Sequence, residues 1–454
     1  MTSVGFAPSR RTTDVIVVVT AVLLLLSTVQ GLGAERGTIA SAGAVDPLAI
    51  FKIGVRLLAL GVSGYLWWAS PGSLRANWFG PTGWFLAFFA VAALTAFVSA
   101  NPFVSASRAV SFGIVLVFAT SAAAGYVRQG RVAAYWRGVC LLILTTTVPI
   151  FAVVLWRGRV VEWYDTVARL GGVYQPNQLG ALAAITLVIC LMGLRRGRMA
   201  PLSLSLFPVA LGVGVYTLSR GSWIAMVVGL LAAWWSVRRL RIWTVPVLGL
   251  LVTGTLLAVA TGFLEPDRGI FAAVRRGQSS TELRSGTGRT GLYSYMLERQ
   301  FPQRPLLGFG FQMLSDEDVA GDPEPHRTGI ARDLGWPAEQ GHNLFLSTLI
   351  GTGLIGLSLF LVALGSLLWR VARAARGGDP ISADQLVLLA VILAHAMVDT
   401  TLVTGVDHAF LVLCAMAGLV SARLAFEVQA APAPAPLQPA ARRTGYALAE
   451  WSRR

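Results

Sequence analysis

Charge is what this sequence has least of. Only 13% of its 454 residues are Asp, Glu, Lys or Arg, while 55% are hydrophobic. Soluble domains carry about 25% charged residues, so a water-soluble globular chain is excluded. Acids are scarcer than bases, 22 against 37, and Lys52 is the only lysine, so the net charge of +15 is almost all arginine. In a chain this apolar an arginine excess orients loops and meets anionic lipid, which makes nucleic acid a poor partner. Cysteine is rare too. Cys140, Cys190 and Cys414 all lie in apolar runs and read as small buried hydrophobes, with no disulfide or metal framework. The start, PSRR followed by an apolar run from Val15, has the outline of a signal peptide, but so many later runs favour an uncleaved first helix.

What the sequence does have is long apolar runs. A bilayer span needs about 20 such residues, and backbone polar groups in lipid must be paired internally, so the runs are helices. Twelve candidates lie at 13–33, 48–68, 82–100, 104–126, 133–156, 177–194, 201–218, 222–237, 243–263, 343–369, 385–403 and 407–425, the last two open to being one re-entrant pair. The expected fold is all-α, a polytopic membrane protein of about 12 transmembrane helices with one large extracytoplasmic loop. Spans one to nine occupy 1–263, the loop 264–342, spans ten to twelve 343–428, and a cytoplasmic Pro/Ala-rich tail 429–454. With the N-terminus inside, the inner segments hold Arg10, Arg11, Arg75, Arg128, Arg131, Arg195, Arg196, Arg198, Arg238, Arg239, Arg241, Arg370, Arg373 and Arg376. The short outer loops hold few, so both termini are expected to be cytoplasmic.

The long loop is the one stretch able to fold in water. It carries eleven acids and nine bases, half of the acids in the chain. Tyr293, Met296, Leu297 and Phe301 recur at helical spacing, which predicts an amphipathic helix over 289–301. A second outer segment, 157–176, with Trp156, Trp163 and Tyr164, suits a helix lying at the interface. The acidic run SDEDVAGDPE, 315–324, lacks calcium-loop spacing and reads as solvated loop.

Ionisable groups in or beside spans are costly and need partners. Lys52 and Arg56 lie four apart on the second span and Arg108 near the start of the fourth, all toward the outer side. Either they snorkel to phospholipid phosphates or they share an anionic ligand. Arg220 sits in TLSRGSW, a short outer turn, where a permanently charged guanidinium can grip a phosphate; the plainer reading is an interfacial anchor beside Trp223. Arg289 sits among glycines at a helix start, SGTGRTGLY, a plausible but common anion-site pattern. His342, in EQGHNLF, marks the loop's return to the membrane and can accept a proton from a hydroxyl; alternatively it forms a capping pair with Asn343. His395 and Asp399 share a face of the eleventh span and are read as a structural polar pair.

Four stretches together resemble the bacterial O-antigen ligase and surface-polysaccharide polymerase superfamily: VYQPNQLG (173–180), TLSRGSWI (217–224), GRTGLYSYMLERQFPQRPLLGFGF (288–311) and GHNLFLSTLIGTGLIG (341–356). Ile224 stands where such ligases often have Leu. The resemblance implies a GT-C-like inverting glycosyltransferase of the bacterial inner membrane, without cofactor or metal. Its donor would be a polyprenyl-pyrophosphate-linked glycan and its acceptor a hydroxyl of a glycan or lipid core. His342, Arg220 and Arg289 would be catalytic. Gln175, Asn177, Tyr293, Asn343, Lys52, Arg56 and Arg108 would bind substrate, and Glu339 is a weaker candidate base. A multi-span transporter or flippase of lipid-linked glycans is the competing class. A non-catalytic envelope partner explains the loop but not the Arg/Arg/His set. Polar groups gathered at outer ends, away from mid-depth, favour the enzyme.

Overall fold

The computed structural model describes residues 10–27, 47–69, 71–78, 80–160, 169–170, 175–197, 199–235, 289–314, 342–400, 402 and 407–430. The expected ninth span, most of the long loop including Glu339 and the acidic run, and the Pro/Ala tail lie outside the described residues.

Among the described residues thirteen α-helices run in chain order: α1 Arg10–Leu26, α2 Pro47–Ala69, α3 Pro71–Trp78, α4 Gly80–Leu94, α5 Pro102–Arg128, α6 Val132–Arg157, α7 Pro176–Arg195, α8 Ala200–Tyr216, α9 Arg220–Trp235, α10 Arg289–Tyr295, α11 Leu344–Arg376, α12 Pro380–Ala396 and α13 His408–Ala430. Seven helical stretches of this part are long and apolar enough to cross a membrane, and α8 and α12 are shorter apolar helices. The chain is therefore an all-α polytopic membrane protein. Helix starts follow local chemistry. Asn101, Asn343 and Asp379 accept hydrogen bonds from first-turn amides, and proline follows Asn101 and Asp379 where no amide is needed.

Two ends of the bundle can be told apart by contacts. At one end Asp14 pairs with Arg131 at 3.0 Å, Arg196 with Asp384 at 2.9 Å and Arg423 with Asp379 at 2.6 Å. Arg75, Arg128, Arg370, Arg373 and Arg376 fall at the same end by helix alternation. Exposed Trp68, Trp78 and Trp369 ring it, and exposed Phe97, Phe103 and Trp156 ring the opposite end. Aromatic side chains at both ends suit the two membrane–water interfaces.

One core runs through the helices, and a smaller one ties residues 292–314 to the bundle. The latter gathers Leu292, Met296, Phe309, Met313 and Leu314 against Ile350 of α11. Phe311, 2% exposed, drops deeper, with ring centroids 5.5 Å from Phe112, 6.0 Å from Phe88 and 6.1 Å from Phe89. Its amide donates to the Ser105 hydroxyl at 2.8 Å. Part of the long loop is thus plugged into the bundle.

Three expectations change. The helix expected over 289–301 is α-helical only to Tyr295, then a wide π turn over Met296–Gln300 and a tight 3-10 turn over Phe301–Gln303. Pro302 has no amide to give and restricts Phe301, so regular winding cannot continue. Within 157–176, where an interfacial helix is expected, the described Arg159–Val160 and Arg169–Leu170 form an antiparallel strand pair, β1 with β2, while Trp163 and Tyr164 lie outside the described residues. Helix α6 stops at Gly158, whose φ of +74° is left-handed. The span expected over 385–403 starts earlier, at Pro380, and its helix ends at Ala396, so Asp399 lies beyond the helix although its amide still donates to His395 O at 3.0 Å.

Candidate functional site

The site lies at the end away from the arginine-rich turns, where α7, the α8–α9 turn, α10, the start of α11 and the segment after α12 converge. Each piece is positioned by a local device. In the turn TLSRGSW, Leu218 takes a left-handed φ of +51°, the Ser222 amide donates to Ser219 Oγ at 3.4 Å, and the Trp223 indole donates to Gly214 O at 3.1 Å. Arg220 is therefore presented at the first position of α9 on a turn held from both sides. Gly221 sits where a Cβ would strike the Val398 side chain, so only glycine lets α9 approach the segment after α12.

Arg289 opens α10 and donates from Nη1 to Val398 O at 2.9 Å. Asn343 caps α11, its Oδ1 accepting from Phe345 N at 2.9 Å and Leu346 N at 3.1 Å, while its Nδ2 donates to Met397 O at 3.0 Å. Tyr293 donates its hydroxyl to His342 O at 3.0 Å. The segment 397–398 thus accepts from both the loop and α11, and His342 is fixed by its backbone. His342 itself has φ +47°, an uncommon conformation for a non-glycine residue and one that recurs at functional sites. Its Nδ1 is buried and makes no hydrogen bond among the described residues.

Electrostatics join these groups. Arg220 lies in the fields of Arg289 and Arg169, and His342 in those of Asp399 and Arg289. Burial pushes the His342 imidazole below its usual value, and Arg289 adds to this against the opposing Asp399. Burial thus favours the neutral ring, the form that can accept a proton. Burial raises the Tyr293 phenol, with Arg289 opposing. Arg289 and Arg169 both act on Arg220, and Arg289 also acts on His342, so three guanidiniums form a set suited to a multiply charged anion with the imidazole at its Arg289 side.

Of the expected residues, the structure brings together Arg220, Arg289, His342, Asn343, Tyr293 and Asn177. Gln175 precedes Pro176 at the start of α7, its carbonyl accepting from Leu179 N at 2.9 Å. Arg108 donates to Gln312 O at 3.3 Å, in the plugged part of the loop. Arg56 donates to Ser27 and Ser111 hydroxyls, both at 2.8 Å, among α1, α2 and α5, a different group of helices from those carrying Arg220 and Arg289. Lys52 lies one turn before it on α2.

Sequence reasoning missed Arg169. It is 4% exposed, donates from Nε to Thr217 O at 2.9 Å and from Nη2 to Asn177 Oδ1 at 2.9 Å, and so ties β2 to the Arg220 turn and to α7. The available signal was an arginine between apolar neighbours in a loop expected to be outer, where topology needs no cation. His395 also gains neighbours: Nε2 lies 3.4 Å from the Ser222 hydroxyl, which also reaches Asn177 O at 3.4 Å.

The motif PLLGFG, 305–310, has a structural task. Helix α11 breaks at Gly353, with φ +65° and ψ −169°. The break frees backbone groups, and the loop satisfies them. Phe309 N and Gly310 N donate to Ile350 O and Gly351 O, both at 2.9 Å, while Leu354 N and Ile355 N donate to Pro305 O at 2.8 Å and Leu306 O at 3.3 Å. Broken helices in membranes are tolerated where protein re-satisfies them, and here the loop fills the break.

Fold and site together define a polytopic helical membrane protein with a cationic, histidine-containing site at one bundle end. Residues 204–361 match the family model described as O-antigen ligase, a segment that includes Arg220, Arg289 and His342, and this match supports the O-antigen ligase superfamily. A search of curated proteins finds no significant match.

Proposed function

We propose that the protein is a membrane glycosyltransferase that moves a glycan from polyprenyl pyrophosphate to an acceptor hydroxyl in cell-surface polysaccharide synthesis. The family match supports O-antigen ligase or polymerase type chemistry in a bacterial inner membrane. The observation that carries the assignment is the position of Arg289, which is close enough to act on both Arg220 and His342 while held on Val398 O.

In this reading the pyrophosphate lies against Arg220 and Arg289, with Arg169 behind Arg220. The acceptor oxygen attacks the anomeric carbon from the face opposite the leaving group. The carbon–oxygen bond to phosphate breaks, its electron pair leaves with polyprenyl pyrophosphate, and configuration inverts. The acceptor's proton passes to the His342 imidazole. Fixed cations stabilise the charge that grows on the leaving oxygen, and they do so most in the transition state. The reading assigns this task to guanidiniums and requires no metal ion. Asn177, Gln175, Asn343 and Tyr293 line the approach, and Lys52, Arg56 and Arg108 are assigned to the anionic lipid-linked donor on the neighbouring helices. The arginine-rich end is cytoplasmic, both termini are inside, and the site faces outward across about 12 spans.

The test follows release of free polyprenyl pyrophosphate from a lipid-linked glycan by the purified protein in lipid with EDTA. Acceptor-dependent release, lost in His342→Ala, is expected. Movement of the intact donor across the bilayer without release refutes the enzyme and points to a flippase.

A further inference from the structure

One buried polar side chain at the site has no part in the transfer chemistry. His395 lies on the last turn of α12 and is 3% exposed. A buried polar ring costs free energy unless it is bonded, and an apolar side chain would fill the same space without that cost. The partners of this ring lie on two other helices. Nε2 is 3.4 Å from Ser222 Oγ on the first turn of α9. The ring also hydrogen-bonds the backbone of Asn177 on the first turn of α7, and the Asn177 carbonyl takes the Ser222 hydroxyl at 3.4 Å. The three helix ends are pressed together at this point. A Cβ on Gly180 would strike Ser222, and one on Gly221 would strike Val398.

The His395 carbonyl faces the other way. It accepts from the amides of Val398 and Asp399, both at 3.0 Å, and so turns the chain out of α12. Met397 O and Val398 O in that turn are the acceptors of Asn343 Nδ2 and Arg289 Nη1. Arg220, Arg169 and Arg289 come from three different elements, and His395 touches the support of each. Ser222 is two positions from Arg220, Asn177 Oδ1 takes Arg169 Nη2, and Val398 O holds Arg289.

We infer that His395 is a positioning residue. Its imidazole pins the starts of α7 and α9 to the end of α12 and so sets the spacing of the guanidiniums. It touches no reacting atom and takes no proton. The effect on rate rests on the transferase reading; the joint itself does not. Fixed charges act most on the transition state, so a loosened joint should lower kcat and leave the donor KM little changed.

The experiment compares His395→Gln with His395→Met in the full chain in lipid nanodiscs. The two side chains have nearly the same shape, but only Gln ends in an amide that donates and accepts. Packing changes are shared, and the difference reads the polar joint. Single-turnover release of polyprenyl pyrophosphate should fall on the order of 10²-fold in His395→Met, the scale of a misplacement of about 1 Å, and recover most of that in His395→Gln. Ser222→Ala, a smaller change, should slow release in the same direction, and adding it to His395→Met should cost little more. Hydrogen exchange at 219–223 and 397–399 should quicken in His395→Met and not in His395→Gln. Equal release in the Gln and Met variants, full-speed release in Ser222→Ala, or a raised donor KM at unchanged kcat overturns the inference. No release by the wild-type protein sinks the transferase reading instead. Exchange then decides the joint, and unchanged exchange in His395→Met overturns it.

Discussion

Replacing Gly353 by alanine should detach the loop from the membrane bundle. The residue has φ +65° and ψ −169°, a region used essentially by glycine alone, which costs an alanine about 1–3 kcal/mol. Its new Cβ would also overlap Leu306 C and O and lie 2.5 Å from Leu307 N. These are backbone atoms, so no side-chain rotation relieves the clash. Either α11 straightens or residues 305–310 lift away. Both outcomes break the bonds of Phe309, Gly310, Leu354 and Ile355 amides across the break. At about 0.5–1.5 kcal/mol each, four bonds contribute about 2–6 kcal/mol. Hydrogen exchange by mass spectrometry in lipid nanodiscs should show faster exchange at 309–310 and 354–355, with a lower melting temperature. Transfer should fall as well, because Arg289 and Tyr293 ride on the same plugged segment. Unchanged protection at those four amides and an unchanged melting temperature would refute the idea that this loop seals the helix break.

Arg289→Ala should lower transfer about 10²–10³-fold, the scale of losing one preorganised charge-stabilising donor, while Arg289→Lys recovers only part; single-turnover release of polyprenyl pyrophosphate measures it. The pH profile carries a sign. His342 is depressed below 6.5 and must be neutral to take a proton, so activity should be full at pH 7 and fall on an acid limb centred below 6.5. Removing Arg289's charge should move that limb to higher pH, and Asp399→Asn should move it lower. Arg169→Ala should destabilise the end of the bundle that holds Arg220 by about 1.5–3 kcal/mol for each bond lost to Thr217 and Asn177, read as melting temperature, because a charged donor held them. Asp14→Asn should cost under about 1 kcal/mol in the same assay, since its bridge to Arg131 is one-third exposed on each side.

The spans were legible because lipid leaves the chain little choice. Runs such as 104–126 and 133–156 are apolar enough that only helices satisfy their amides, and α5 and α6 lie over them. The cap was legible at Asn343, where an Asx residue precedes an apolar run. Three candidates, Arg220, Arg289 and His342, stood out because charge and histidine are rare and each lies at a span end or glycine-rich turn. Their closeness was not legible. Arg289 is held by the carbonyl of Val398, 109 positions along the chain, and nothing in either local stretch announces the other.

What the sequence alone determined is the membrane class, the helix runs and the residue types able to meet an anion, because hydropathy and charge are local properties that lipid reads directly. The tertiary structure decided the rest. Arg169 became part of the site only when β2 folded back onto the Arg220 turn. PLLGFG became a seal only when α11 broke at Gly353 and left amides and carbonyls to be satisfied. Arg56 turned to Ser27 and Ser111 because α1 and α5 pack beside it, the Ser111 pairing spanning 55 positions of chain. These are long-range pairings of groups that look ordinary in their own windows, and a hydrogen bond has no sequence signature until its partner is brought within reach.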